Sequence, residues 1–224
     1  MKKVKLLEID DENNDSITFS KSEILDSNLI STQKIKDIDE IFYNNDQEYI
    51  IDVGGNKTAT IFLNEVKKIG IFENIVWFIP LTSGEQDNQN AYETYLEIKK
   101  IDQNAKVVFV LSNVKTNDIE WEFLNFFGND YLETSLSICK KIENVDYIEV
   151  PNDPIISNCR YFNKTVYDLS RSTTDFRKLA FEVEEVEKRR KYILFNRIQN
   201  EAKMYVDVLR NKTFNQLNTI LKGI

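Results

Sequence analysis

Histidine is absent from the 224 residues. That absence removes Ser-His-Asp triads, imidazole acid–base chemistry and most zinc and iron sites in one step. Glycine (6) and proline (3) are scarce, which argues against a loop-rich all-β sandwich and against collagen-like or linker sequence. The two cysteines, Cys139 and Cys159, make no CxxC pair, and a reduced, cytoplasmic chain is the simplest reading. No apolar run approaches the roughly 18–20 residues that a membrane helix needs, so no membrane is expected as a partner. The opening MKKVKLLEIDDENN is basic and then apolar, but its apolar part is too short for a signal peptide and runs straight into acids. A net charge of −8 disfavours a wholesale nucleic-acid binder while leaving room for a local basic patch.

What is present is the composition of a globular chain with a real core: 42% hydrophobic and 29% charged residues. Short apolar runs alternate with helical patterns. Val4–Ile9, Glu48–Val53, Asn74–Leu81, Lys106–Ser112 and Tyr147–Val150 read as strands. Ser22–Ile41 carries Ile24, Leu25, Ile35, Ile38 and Ile41 at roughly helical spacing. Asn56–Ile69 reads as a helix with Ala59, Phe62, Leu63, Val66 and Ile69 on one face. Tyr92–Ile101, Ile119–Phe127 and Tyr131–Lys141 also read as helices, and TSGEQDNQN as a polar loop. From Thr174 onward nearly everything is helical, without proline and with dense charge. Continuous apolar strands separated by helices predict an α/β fold: a mostly parallel sheet covered by helices on both faces. The expected organisation is one α/β domain over residues 1–170 with a helical C-terminal region over 171–224.

Ligands of such sheets sit beyond the carboxyl ends of the strands. Those ends carry Glu8, Asp10 and Asp11; then Asp52, Gly54 and Gly55; then Thr82, Ser83 and Gly84; then Asn113; and last Pro151, Asn152 and Asp153. Acids and Asn are common in βα turns and as helix caps, which is the plain reading of any one position. Two neighbouring acidic strand ends are less ordinary, because carboxylates on one rim repel unless a cation or protons compensate. A hydrated Mg²⁺ shared with a nucleotide phosphate is a usual resolution.

The order of these pieces resembles the ParA/MinD-type ATPases, the deviant Walker branch of the P-loop NTPases. LLEIDDEN is similar to the strand ending in the family's D-x-D signature, with Glu8 and Asp10 in the places of its acids. YIIDVGGN resembles the Walker B or switch II strand, with Asp52 as its acid. IVWFIPLTSGEQDNQNAYETYLEI is similar to the next strand, loop and helix. KVVFVLSNV resembles the strand ending in an adenine-reading Asn, here Asn113, and YIEVPNDPIISNCRYFNKTVYDLS the late strand with its proline loop. The resemblance covers roughly residues 4–185.

It implies a P-loop NTPase-like sheet of the SIMIBI type, with ATP and Mg²⁺ as cofactors. Asp10 and Asp52 would be catalytic, Asp52 and Glu8 would hold the metal, and Gly54, Asn113, Pro151 and Asn152 would contact the nucleotide. It further implies a nucleotide-switched homodimer in plasmid or mobile-element partition, with a ParB-like or conjugation partner. Nonspecific DNA would be held by C-terminal basic residues such as Arg197, Lys203, Arg210 and Lys212.

One departure bears on all of this. The family opens with a strand, a KGGxGKT-like loop and a helix. Here there is no G-x-x-x-x-G-K-[ST] anywhere, and Gly54-Gly55 reads as a switch-type turn. The backbone amides and lysine that hold β and γ phosphates are not supplied, so the chain alone is expected to hydrolyse ATP poorly or not at all. The missing strand lies between those matched by EYIIDV and NIVWFIP, so these two either pair directly or leave an edge that recruits something. A degenerate paralogue and a fragment both account for the pattern. A non-catalytic adaptor or dimerisation partner is the alternative function. A flavodoxin- or Rossmann-type enzyme lacks its G-x-G-x-x-G turn.

Overall fold

A computed structural model describes residues 3–11, 19–43, 48–70, 72, 74–131 and 137–222. The chain divides into two compact units, Met1–Ile69 with Pro154–Asp207, and Gly70–Asp153 with Val208–Ile224.

The first unit is built on a three-stranded parallel sheet. Its strands are β1 (Val4–Ile9), β2 (Leu25–Ile30) and β3 (Tyr49–Val53), in the order β2-β1-β3. A 3₁₀ turn (Thr32–Ile38) and the short helix α1 (Asp39–Phe42) follow β2, and helix α2 (Asn56–Ile69) follows β3. The remaining helices are α7 (Ile155–Asn158), a 3₁₀ turn at Cys159–Phe162, α8 (Val166–Ser170), α9 (Phe176–Glu182) and most of α10 (Val186–Leu209). Leu7, Ile9, Ile38, Phe62 and Val66 are buried here, as are Ile155, Leu169, Ile198, Ala202 and Val206.

The second unit has its own parallel sheet, β4 (Val76–Leu81), β5 (Lys106–Val114) and β6 (Asp146–Pro151), in that order. Helix α3 (Glu85–Ile101) joins β4 to β5. Three one-turn helices, α4 (Ile119–Glu122), α5 (Leu124–Phe127) and α6 (Ile138–Lys141), lie between β5 and β6. A π-helical turn (Arg210–Phe214) and α11 (Asn215–Leu221) close the unit. Its central strand is nearly all core: Val107, Val108, Phe109 and Leu111 are buried. Phe109 meets Phe126 edge-on at 5.5 Å, and Phe126 meets Tyr147 at 5.7 Å, the offset geometry that aromatic quadrupoles favour.

The α/β class and the parallel strand pairing agree with expectation. The single sheet does not: among the described residues there are two sheets of three strands, and β3 and β4 do not pair. Each is an edge strand of its own sheet. Pro80 in β4 fits that placement, since proline cannot donate to a ladder and is confined to sheet edges, strand starts and bulges.

Leu25–Ile30 corrects a second expectation, being a strand and not helix. Leu25 and Ser27 are less exposed than the residues that follow them, the period of a half-covered strand, and Val4 N–H donates to Ile24 O to start the pairing with β1. Helix α3 begins at Glu85, seven residues before Tyr92. Glu85 and Asp87 favour a helix N-terminus electrostatically, an effect that apolar periodicity does not register. Ile119–Phe127 breaks at Phe123, whose φ of −112° and ψ of 48° are not helical. Of the expected helix Tyr131–Lys141, Ile138–Lys141 is helical, and residues 132–136 lie outside the described residues.

Candidate functional site

The carboxyl end of the first unit's sheet collects the acids. Glu8 and Asp52 are directly paired in the register of β1 and β3. In-register residues of parallel neighbours point to the same face, about 4.8 Å apart. Glu8 is buried at 5% exposure, and Asp52 at the sheet's edge strand is exposed. Leu29 of β2 is paired with Glu8 from the other side, so one row across the sheet reads Leu29, Glu8, Asp52.

Asp10 lies one residue past β1. Gly54 N–H donates to Ile9 O at 2.9 Å, bringing the turn after β3 against the end of β1. A Cβ on Gly54 would lie 2.7 Å from the Asp10 carboxyl carbon, so only glycine lets the carboxylate sit where it does. Asp11, one residue further, has another task. It accepts from Thr32 N–H at 2.9 Å and from the Thr32 hydroxyl, and these bonds hold its carboxyl below the usual range. Asp11 therefore fastens the end of β1 to the turn after β2. Asp10 remains the acid that faces the Gly54 turn.

The carboxyl end of the second unit's sheet collects the other expected residues. Asn113 sits in β5 with φ of 61°, the left-handed region that Asn tolerates better than most residues. The register between β5 and β6 shifts between Ser112 and Val114, so Asn113 occupies a bulge, a device that re-aims a side chain. Asn113 is exposed there. Val114 is paired with Pro151, and Asn152 N–H donates to Val114 O at 2.9 Å. Asn113, Pro151 and Asn152 thus form one cluster at one rim. The loop after Asn113 is held by Glu122, whose carboxylate accepts from Lys115 N–H and Thr116 N–H at 3.0 Å each. Burial pushes the Glu122 carboxyl up, but these amides outweigh it and leave it below its ordinary value.

Thr82, Ser83 and Gly84 offer less than their sequence implies. The Thr82 hydroxyl donates to the Asp87 carboxylate. Asn88, fully buried, donates through Nδ2 to Gly84 O at 2.7 Å and to Thr82 O at 3.0 Å. The loop is locked onto its own helix.

Two further buried polar clusters escaped the sequence reading, and both are fasteners. Asp168 accepts from the hydroxyls of Ser22 (2.8 Å) and Thr165 (2.7 Å) and from the amides of Glu23 and Thr165 (3.0 Å each). Burial pushes its carboxyl up, but the hydrogen bonds from Thr165, Ser22 and Glu23 outweigh that and hold it low. Glu149 pairs with Lys212 at 2.5 Å and accepts from Gln216, while the π-turn brings the Thr213 hydroxyl to Glu149 O. The T-x-x-D box before α8 was a visible signal for the first cluster. The second joins residues more than sixty apart, and no local pattern announces it.

Neither thiol is poised as a nucleophile: burial pushes Cys139 up to about 11 and raises Cys159 as well. Of the C-terminal cations, Arg197 pairs with Glu201 and Lys212 with Glu149. Among the described residues no three His, Cys, Asp or Glu side chains converge to hold a metal ion, and no helix is long and apolar enough to cross a membrane. Magnesium normally takes one or two carboxylates and completes its shell with water and phosphate. The Glu8–Asp52 pair fits that share and no more. Neither a protein-family model nor a curated protein matches this sequence.

Proposed function

We propose that this chain is a ParA-like protein of plasmid or mobile-element maintenance, built on a P-loop-type sheet and switching its association state with a nucleotide. One observation carries the reading: Glu8 and Asp52, drawn from two distant sequence motifs, are register partners on one sheet face, with Asp10 against the turn that follows Asp52. Asp52 and Glu8 would hold Mg²⁺ through water, which neutralises phosphate charge. Asp10 would orient a water. Among the described residues β3 and β4 each stand at an edge of their own sheet, and edges that lack a neighbouring strand support the same reading.

The cationic half of such a pocket is not within this sequence. Acids alone repel a triphosphate, so the chain by itself does not turn ATP over. The adaptor reading draws on the same open edges, which can take up a strand from a partner. Calorimetry with Mg-ATP on the pure chain separates the two: measurable binding, lost in Asp52→Asn, favours the nucleotide switch, and no binding favours the adaptor. Steady phosphate release abolished by Asp10→Ala would contradict the claim that the chain alone is inactive.

A further inference from the structure

From Glu184 to Lys191 every residue is exposed, so the first turns of α10 bury no side chain of their own. Helix ends in proteins draw most of their stability from packing an apolar face. Such a face exists here and is uncovered: Phe181 is 77% exposed, Val186 57% and Ile193 56%. Val186 and Ile193 are seven residues apart and share one side of the helix. Phe181 and Ile193 line the same open cleft, of about 360 Å³, with Arg177 and Arg189. Arg189 donates twice to Val183 O, at 2.9 and 3.2 Å, and so fixes the bend between α9 and α10.

The charges are ordered in blocks. Glu182, Glu184, Glu185 and Glu187 come first, and Lys188, Arg189, Arg190 and Lys191 follow at once. Elsewhere on these helices opposite charges pair at i,i+4, as Lys178 does with Glu182 and Arg197 with Glu201. Among the described residues, Glu184, Glu185, Glu187, Lys188 and Arg190 make no ion pair.

We propose that this hairpin end is a self-association surface, covered by the same segment of a second copy across a two-fold axis near Glu187. Antiparallel pairing about that point sets the acidic block of each copy against the basic block of the other. It also brings Phe181 of one toward Ile193 of the second, with Val186 near the axis. A two-fold interface must be self-complementary, and this segment carries both halves of its own complement. A polyanion would meet four carboxylates beside the four cations, and a partner of single sign would match only half the surface. The inference does not depend on the nucleotide reading.

Sedimentation velocity on the full chain without nucleotide tests it, with circular dichroism verifying that each variant keeps its helix content. The wild type is expected to dimerise reversibly in the micromolar range, and less so as salt rises. E184K/E185K/E187K alone and K188E/R190E/K191E alone should each self-associate at least about tenfold more weakly, because like blocks then face each other. An equimolar mixture of the two should restore a heterodimer, and Ile193→Asp should abolish association. A wild type that stays monomeric, reversed variants that dimerise as the wild type does, or a mixture that fails to associate would each overturn the proposal.

Discussion

The two sheets have the same strand number and the same parallel sense, yet they spend their central strand differently. In the second unit β5 is apolar throughout its middle, and its stability rests on aromatic contacts around Phe109 and Phe126. In the first, β1 carries a buried glutamate as its penultimate residue, paired with an aspartate, and the neighbouring segments are fastened by hydrogen bonds to the buried Asp168. Each unit also buries a carboxylate fastener, Asp168 in the first and Glu149 in the second, so the difference lies in the aromatic cluster of one and the acid row of the other. The lesson is that a charged rim can stand beside fully buried Ile9 while the polar bonds of Asp168 fasten the sheet's opposite end, just before β2.

The contrast can be broken most severely in the aromatic core. Phe109→Ala should cost about 4 kcal/mol in urea unfolding, because Phe109 is only 1% exposed and its ring packs against Tyr95 and Phe126. Asp168→Ala should cost about 3 kcal/mol, since it orphans donors from Ser22, Thr165 and Glu23. Its pH signature sharpens the comparison. The folded carboxyl is held below its unfolded value, so its contribution is complete above about pH 4 and fades as pH falls through the folded value. The Asp168→Asn variant should lose that acid-limb slope, whereas Phe109→Ala should keep it.

Lys212→Met should cost about 2 kcal/mol, less than a fully buried pair because Lys212 is half-exposed. Adding Glu149→Gln should recover part of the loss, which a double-mutant cycle would read. The smallest effect on stability belongs to Gly54→Ala, under about 1 kcal/mol, because the new methyl meets only the movable end of Asp10. Its effect on Mg-nucleotide binding should nevertheless match that of removing the Asp10 carboxylate. A Gly54→Ala protein with unchanged binding would show that the position of Asp10 does not matter.

Much of the fold was legible because strands β1, β3, β4, β5 and β6 are short segments dominated by apolar residues, and such segments announce themselves locally. Strand β2 was not, since LDSNLI is half polar, with three polar residues together at its centre, and it is a strand through its pairing with β1. The start of α3 was hidden for a similar reason: its first turns are polar, and only its N-terminal acids mark it. At the candidate site, the strand-end rule brought Glu8, Asp10, Asp52 and Gly54 into view, and Asn113, Pro151 and Asn152 with them. It did not distinguish Asp11, bound to Thr32, from Asp10, nor reveal that Thr82 is tied to its own helix.

The sequence by itself determined the α/β class, the places where strands end, and which acids and amides stand at those ends, because apolar run length and turn chemistry act over a few residues. Only the tertiary structure decided that the six strands among the described residues form two sheets and not one, that Glu8 faces Asp52, and that Asp168 and Glu149 are buried fasteners. Those outcomes depend on register and on partners tens of residues away, and a buried carboxylate is tolerated only where distant donors meet it.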